Sequence, residues 1–552
     1  MHAEPAYLFR HALIRDAAYQ LQLPGDRARL HALALHAIEG LFGGRPASPP
    51  ALESMATDPI ERHPTDLLAE ELASHAWVAG AASGEPEMRA VHELYLRRGA
   101  EVADLLYRFE ASIESWKRLA AIASGVERGA ALRRAALASH ARGRYTESEP
   151  LLAEALRIFR EFRHRRLEGV ALKDLAGSVR ESGDYARAER LCEEALAIHR
   201  ELGDRDAEGL ALRNLAILYK EELRHGDAEK ACLESIRIQQ ETRNPRYEAL
   251  ALKSLANVLA DSGRRNEAES IYARALAAAR ASRNRPHEGA ILGHLANLLV
   301  ATGRFASAER LFEDALAIMR EVGDRRFEGV VLGNLANCLA QQGRRDPAER
   351  LYMEALAIHR EVGNAASEGH TLSLLGMLYR RTSRFEEAEA TLKDALAIHR
   401  RYRNGPMLGL TLDSLGSVYF DTGRLDSCEK AYLESLAICR ESRNVRGEGN
   451  VLGNLAQLHA RRGSHEEAEA AHRAALQVLR TVSDDAKLGR HLCEFARYLV
   501  ERGRFEEAAP IWSEGATIEG RSGGSADFEA LCDGVRQALL SAGRPMFEGL
   551  ER

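Results

Sequence analysis

Apolar residues in this chain recur at i, i+3, i+4, i+7 and i+8, the spacing of one stripe on a helix. The stripes come in pairs with a glycine turn between them, and the stretch 328–363 shows the unit. Leu332, Leu335, Ala336 and Leu339 make its first stripe; Ala348, Leu351, Tyr352, Ala355 and Leu356 make its second. Gly343 has no side chain to resist a positive φ, so it can close one helix and turn the chain into the next. Ala336, Ala348 and Ala355 are small where two helices must approach closely, and Gly363-Asn364 ends the unit. A hairpin of this kind cannot bury both faces alone and needs a neighbour on each side.

The neighbours are present, because the pattern returns with a period of 40 residues. Leucine recurs at that spacing from Leu132 to Leu492, and alanine or glycine from Ala136 to Ala496. The turn glycine between the two helices is missing only where Leu223 and Ser383 stand. The expected organisation is a helical segment over 1–42 and a Pro/Gly-rich linker over 43–66. Irregular hairpins follow over 67–127, then ten 40-residue repeats over 128–527 and a terminal helix over 528–552. In the first segment, helices divided at Pro24-Gly25 are expected, with Leu30, Leu33, Ala34, Ala37, Ile38 and Leu41 as the apolar stripe of the second.

Composition agrees with an all-α protein: alanine, leucine, glutamate and arginine dominate and β-branched residues are few. The net charge of −6 gives no general reason to expect nucleic acid. No run of about 18 uncharged apolar residues suggests a membrane span, and the N-terminus has acidic residues and no apolar core of a signal peptide. A cytoplasmic protein is the expectation. The seven cysteines form no CxxC pair; Cys192 and Cys232 stand where the central unit has Tyr352, so they read as small buried hydrophobes in a reducing compartment. The histidines show no metal-ligand spacing, and no GxSxG, HExxH or Cys-His constellation is present, so neither a metal, a cofactor nor catalysis is expected. His199, His359 and His399 end second helices, where a cation would suit the helix dipole.

The 40-residue units resemble the tetratricopeptide repeat. Ala336, Leu339, Ala348, Tyr352 and Ala355 fall at that family's spacing, and the long second helix with its Gly-Asp or Arg-Asn turn is more like the G-protein-signalling-modulator and kinesin-light-chain branches. The resemblance implies a right-handed superhelix of antiparallel hairpins with a concave groove that binds a partner. The phrase FRHALIRDAAY at 9–19 resembles the end of the ATPase module in bacterial multidomain signalling ATPases, yet no GxxxxGK[ST] phosphate loop occurs. Two functions follow: a non-catalytic scaffold for a protein or peptide, or the sensor arm of a bacterial signalling ATPase, kinase or transcription regulator whose enzymatic part is missing from this chain.

The site expectation comes from the side of the first helix opposite its buried stripe. That side carries Asn214; Lys253, Ser254 and Asn257; His294 and Asn297; Asn334 and Asn337; and Asn454 and Gln457. An asparagine offers an acceptor and two donors, enough to grip both polar groups of a peptide bond. Gly293, Gly333 and Gly453 beside them are expected to leave room for a backbone. The signalling-modulator branch is similar, with SLGN phrases contributing peptide-binding asparagines; SLAN at 254–257, HLAN at 294–297 and NLAN at 334–337 match it. The opposing reading is a merely solvated face. A chaperone-type carboxylate clamp is set aside, since only Lys253 and Asn257 match it, while His294, Val330 and Asn334 break it.

Overall fold

The computed structural model describes residues 23–52, 60–83, 86–402, 404–442, 444–481, 485–522, 526–547 and 550. The phrase at 9–19 lies outside them. Every regular element among the described residues is a helix, and consecutive helices pack as antiparallel hairpins in a solenoid. Two compact units result, Met1–Glu181 with Ala197–Leu202, and Ser182–Leu196 with Gly203–Arg552.

In the first unit, the helix Pro24–Leu41 packs on Ala69–Ser83 through Leu35, which is fully buried. The expected stripe is used only in part: Ile38 packs on this core, but Leu30, Leu33 and Leu41 are 51%, 59% and 82% exposed, while Ala28, Leu35 and Glu39 face inward. The reason is polar, because Glu39 turns in to accept from the Tyr95 hydroxyl at 2.9 Å and from Arg45 Nε at 2.7 Å. The linker is pinned as well. Buried Arg98 holds Asp66 at 2.7 Å and donates to the carbonyls of Ala47 and Glu61, so its guanidinium is saturated by loop acceptors.

In the second unit, each hairpin is written by the same local chemistry. First helices start at an Asp or Asn whose side chain accepts from the third helical N–H, as Asp324 does from Phe327 at 2.9 Å. Gly343 closes the first helix at φ 77°, and Leu223 and Ser383 adopt the same left-handed turn at φ 61° and 60° despite their side chains. The repeat's geometry therefore overrides a local strain of about 1 kcal/mol at those two turns.

Repeats key into one another through a size rule. Gly329 lies against the His359 ring and Gly369 against His399, where a Cβ on either glycine would stand 2.8 Å or less from a ring carbon; in the repeat where the first position is Ala249, the opposing residue shrinks to Ala279. His359 and His399 are thus buried packing residues, and burial lowers each to about 4, so they are neutral. The expectation of cations at the helix ends is corrected: the hydrophobic surroundings cost a charge more than the helix dipole returns. Some acidic residues are buried as well. Glu288 and Glu328 are buried, each held between two arginines, with Glu328 2.7 Å from Arg320 and 2.6 Å from Arg325. The cysteines are free, six of them buried, and burial pushes Cys232 and Cys428 up to about 12.

Candidate peptide-binding groove

Successive first helices of the second unit, from Arg205–Glu221 to Asp485–Glu501, touch one another, whereas second helices make no comparable contact among the described residues. Neighbours that crowd lie on the inside of a bend, so the first helices form the concave wall. The curvature brings distant repeats together: Arg446 Nη2 donates to the Asp261 carbonyl at 3.3 Å across 185 residues.

The predicted asparagines divide into two groups on this wall. Asn214, Asn334 and Asn337 are half-buried and Asn297 is exposed, and none makes a hydrogen bond among the described residues. Their donors and acceptors are available to a ligand. Asn257 is partly committed, since the Tyr272 hydroxyl donates to its Oδ1, leaving its amide donors. Asn454 is engaged: its Nδ2 donates to Asp413 Oδ1 at 2.7 Å, and Asn450 Nδ2 donates to Oδ2 at 2.8 Å. Ser254 turns back on its own helix, donating to the Leu250 carbonyl at 3.1 Å.

The expected role of Gly293, Gly333 and Gly453 is corrected. All three are buried and face the following first helix rather than the groove, with Val331 and Phe327 beside Gly293, Thr371 beside Gly333 and the His491 ring against Gly453. Their smallness serves helix contact.

Charge on the wall is graded in a way that a search for amides overlooks. Arg213 and Lys253 occupy one register on adjacent first helices, and Asp413 occupies the same register four repeats beyond Lys253. Around Lys253 stand Arg213, His287 and His294, with Arg246 and Lys220 close by; burial and then Arg213 bring the Lys253 ammonium down to about 8. Burial, followed by Lys253, lowers His287 to about 4 and His294 to about 3, so both are neutral. Close by, Asp261 pairs with Lys220 at 3.2 Å. Lys253 itself has no ion pair or hydrogen bond among the described residues. At the other end, burial raises Asp413 above the ordinary carboxylate range. Reading each register for charge, as well as for amides, would have found Arg213 and Asp413 in the sequence.

Among the described residues no group of three or more His, Cys, Asp or Glu is placed to hold a metal, and no helix is long and apolar enough to cross a membrane. The fold is similar in part to several solved structures. BtubC (BKLC) from P. vanneervenii is 21% identical, with 40% of this chain and 92% of that one covered at a TM-score of 0.34. The apo form of RapI is 15% identical, with 49% and 98% covered at 0.38. Aspartyl phosphate phosphatase F from Bacillus subtilis is 15% identical, with 65% and 95% covered at 0.43. No curated protein sequence matches the chain. The profile of the tetratricopeptide repeat, by contrast, matches residues 127–201, 169–241, 209–281, 247–321, 327–401, 407–481 and 447–511. That is more than half of the sequence, and the chain belongs to the tetratricopeptide-repeat family.

Proposed function

We propose that this protein is a non-catalytic scaffold whose concave groove binds an extended peptide segment of a partner. The observation that carries the reading is the set of amides at Asn297, Asn334 and Asn337, which face the groove with no hydrogen bond among the described residues. Each amide can accept from one peptide N–H and donate to a peptide carbonyl, so successive repeats can hold a backbone without reading its side chains. Solvent-accessible polar groups of this kind cost nothing while water serves them, and they exchange that water for a peptide on binding.

The test is selection of binders from a random peptide display library on the full chain, followed by affinities for Asn297→Ala/Asn337→Ala. The expected result is a loss of at least about tenfold in affinity, two hydrogen-bonding groups being removed, with unchanged helicity and melting. Selected peptides that bind the double variant as tightly as the parent would sink the reading.

A further inference from the structure

We infer that the segment 45–52 is a built-in ligand, and that the site it fills on the helix Pro86–Leu105 takes in its place a proline-rich segment of a partner, of the form Arg-Pro-x-x-Pro-x-x-Leu. The site lies in the first compact unit and does not rest on the groove reading above.

The segment is RPASPPAL, and its inward positions recur every three residues. Pro46 is buried and Pro49 and Leu52 are half-buried, while Ala47, Ser48, Pro50 and Ala51 are exposed. A period of three is that of a polyproline II helix, which presents one face at i, i+3 and i+6 and makes no hydrogen bonds of its own. The three prolines favour that conformation and carry no N–H. Carbonyls left open by such a chain must be met from outside, and two of them are. Arg98 Nη1 donates to the Ala47 carbonyl at 3.3 Å, and Arg97 Nη2 donates to that of Pro50, again three residues on.

A socket anchors each end. Ahead of the first proline, Arg45 makes a two-pronged pair with buried Glu39, Nε to Oε1 at 2.7 Å and Nη2 to Oε2 at 3.2 Å. The Tyr95 hydroxyl donates to the same Oε1 at 2.9 Å and holds the carboxylate in place. At the other end, Leu52 packs on the apolar cluster of Ala100, Trp116, Leu119 and Ala131. The site thus reads a cation, a proline face, two carbonyls and a leucine, as grooves for proline-rich ligands do. None of these features requires that the segment belong to this chain.

Exchange costs less than emptying the site. Arg98 is 4% exposed, so a departing strap takes the Ala47 acceptor from a buried donor, and a second segment with the same carbonyl restores it. Just before the strap, Gly43 and Gly44 stand at φ 89° and 97°, so the strap leaves the helix Pro24–Leu41 through a joint without side chains. A tethered ligand competes at an effective concentration on the order of millimolar. The site is therefore closed in the parent chain, and an outside segment must displace the strap to enter.

The probe is a fluorescein-labelled peptide, GGRPASPPALE, read by anisotropy with the full chain. In the main variant, residues 45–52 are replaced by the same length of glycine and serine. Saturable binding to this variant, at least about tenfold tighter than to the parent, is expected. Alanine in place of the prolines matching Pro46 and Pro49 should cost the peptide at least about tenfold. Glu39→Gln in the strap-replaced chain should cost at least about fivefold, and nothing further once the peptide's arginine is alanine. A strap-replaced chain of parental helicity that ignores the peptide, or binds a scrambled one equally, would overturn the inference. So would equal affinity of parent and variant, or a Glu39→Gln chain that binds unchanged. Should the replaced chain melt early, added peptide must raise its melting temperature in proportion to occupancy, and no rise overturns the inference as well. A parent dimer that the peptide dissolves would assign the site to the strap of a second copy instead of an outside partner. None of these outcomes touches the groove amides at Asn297 and Asn337.

Discussion

The two ends of the groove carry opposite charge at one helix register and handle it differently. At Asp413 the protein answers its own polar group: Asn450 and Asn454 reach over from the next first helix and occupy both carboxylate oxygens. At Lys253 no hydrogen bond or ion pair forms among the described residues, and Arg213, His287 and His294 stand nearby, both histidines neutral. The far end is therefore answered within the fold, whereas among the described residues the ammonium at the near end is not. A polar residue on a concave wall thus gains functional meaning from whether the fold satisfies it, since a satisfied group has nothing left to give a ligand.

The comparison is sharpest where the register holds glycine. A Cβ at Gly453 would overlap the buried His491 ring, which lies between packed helices and has little room to shift. Gly453→Ala is expected to destabilise residues 445–501 by about 1–3 kcal/mol through overpacking. A Cβ at Gly293 would meet Phe327 and Val331 at 3.7 Å, ordinary contact. Gly293→Ala is expected to stabilise its helix by up to about 1 kcal/mol, because alanine restricts the unfolded chain and favours the helix. Hydrogen exchange read helix by helix is the measurement, as an array of repeats need not melt in one step. Equal effects at the two glycines would show that the first helices pack alike along the groove and break the distinction.

Most of the fold was legible in the sequence, for a physical reason. The stripe at Leu332, Leu335, Ala336 and Leu339 states which side is buried, and repetition every 40 residues repeats that statement until little else fits. Asn334 and Asn337 could be placed on the open side by helix geometry alone. What sequence could not show was who bonds whom. Asn454 and Asn334 occupy the same position of their repeats, yet one is tied to Asp413 and the other has no hydrogen bond among the described residues. That difference depends on the residue 41 positions earlier, on another helix. The neutral histidines were missed in the same way: His359 ends a helix as a cation should, but its ring is buried against Gly329 of the preceding helix. The exposed Leu30 and Leu33 were missed because Glu39, buried by its bonds to Tyr95 and Arg45, fixes the rotation of that helix.

The far end can be tested by pH. Burial raises Asp413 above the ordinary carboxylate value, so in the interval between the two the folded state binds more protons than the unfolded chain. Stability contributed by this group then falls as pH rises through that interval, and it is recovered as pH falls. Asp413→Asn removes the titration and leaves one asparagine amide facing another amide. It is expected to cost about 1 kcal/mol in residues 405–462 at pH 7, with a deficit that grows on acidification as the parent gains and the variant does not. A deficit that shrinks on acidification would mean that the ionised form is the one the Asn450–Asn454 pair prefers.

The smallest expected effect is at the near end, and its sign matters more than its size. Burial and Arg213 bring Lys253 down to about 8, below its ordinary value of roughly 10.4. Between those values the unfolded chain binds more protons, so stability rises with pH across the interval, and below pH 8 the full cost of holding the ammonium is present. Because the ammonium is half-buried and still meets solvent, that cost is discounted to about 1 kcal/mol or less. Lys253→Met keeps the alkyl stem and removes the charge, so it is expected to stabilise residues 245–301 by about that amount at pH 7, with the gain fading above pH 10. Helix-resolved hydrogen exchange at both pH values reads it. Wild-type stability exceeding that of Lys253→Met at pH 7 would mean that Lys253 already has its counter-charge inside the protein, and the near end would then be as self-contained as the far end.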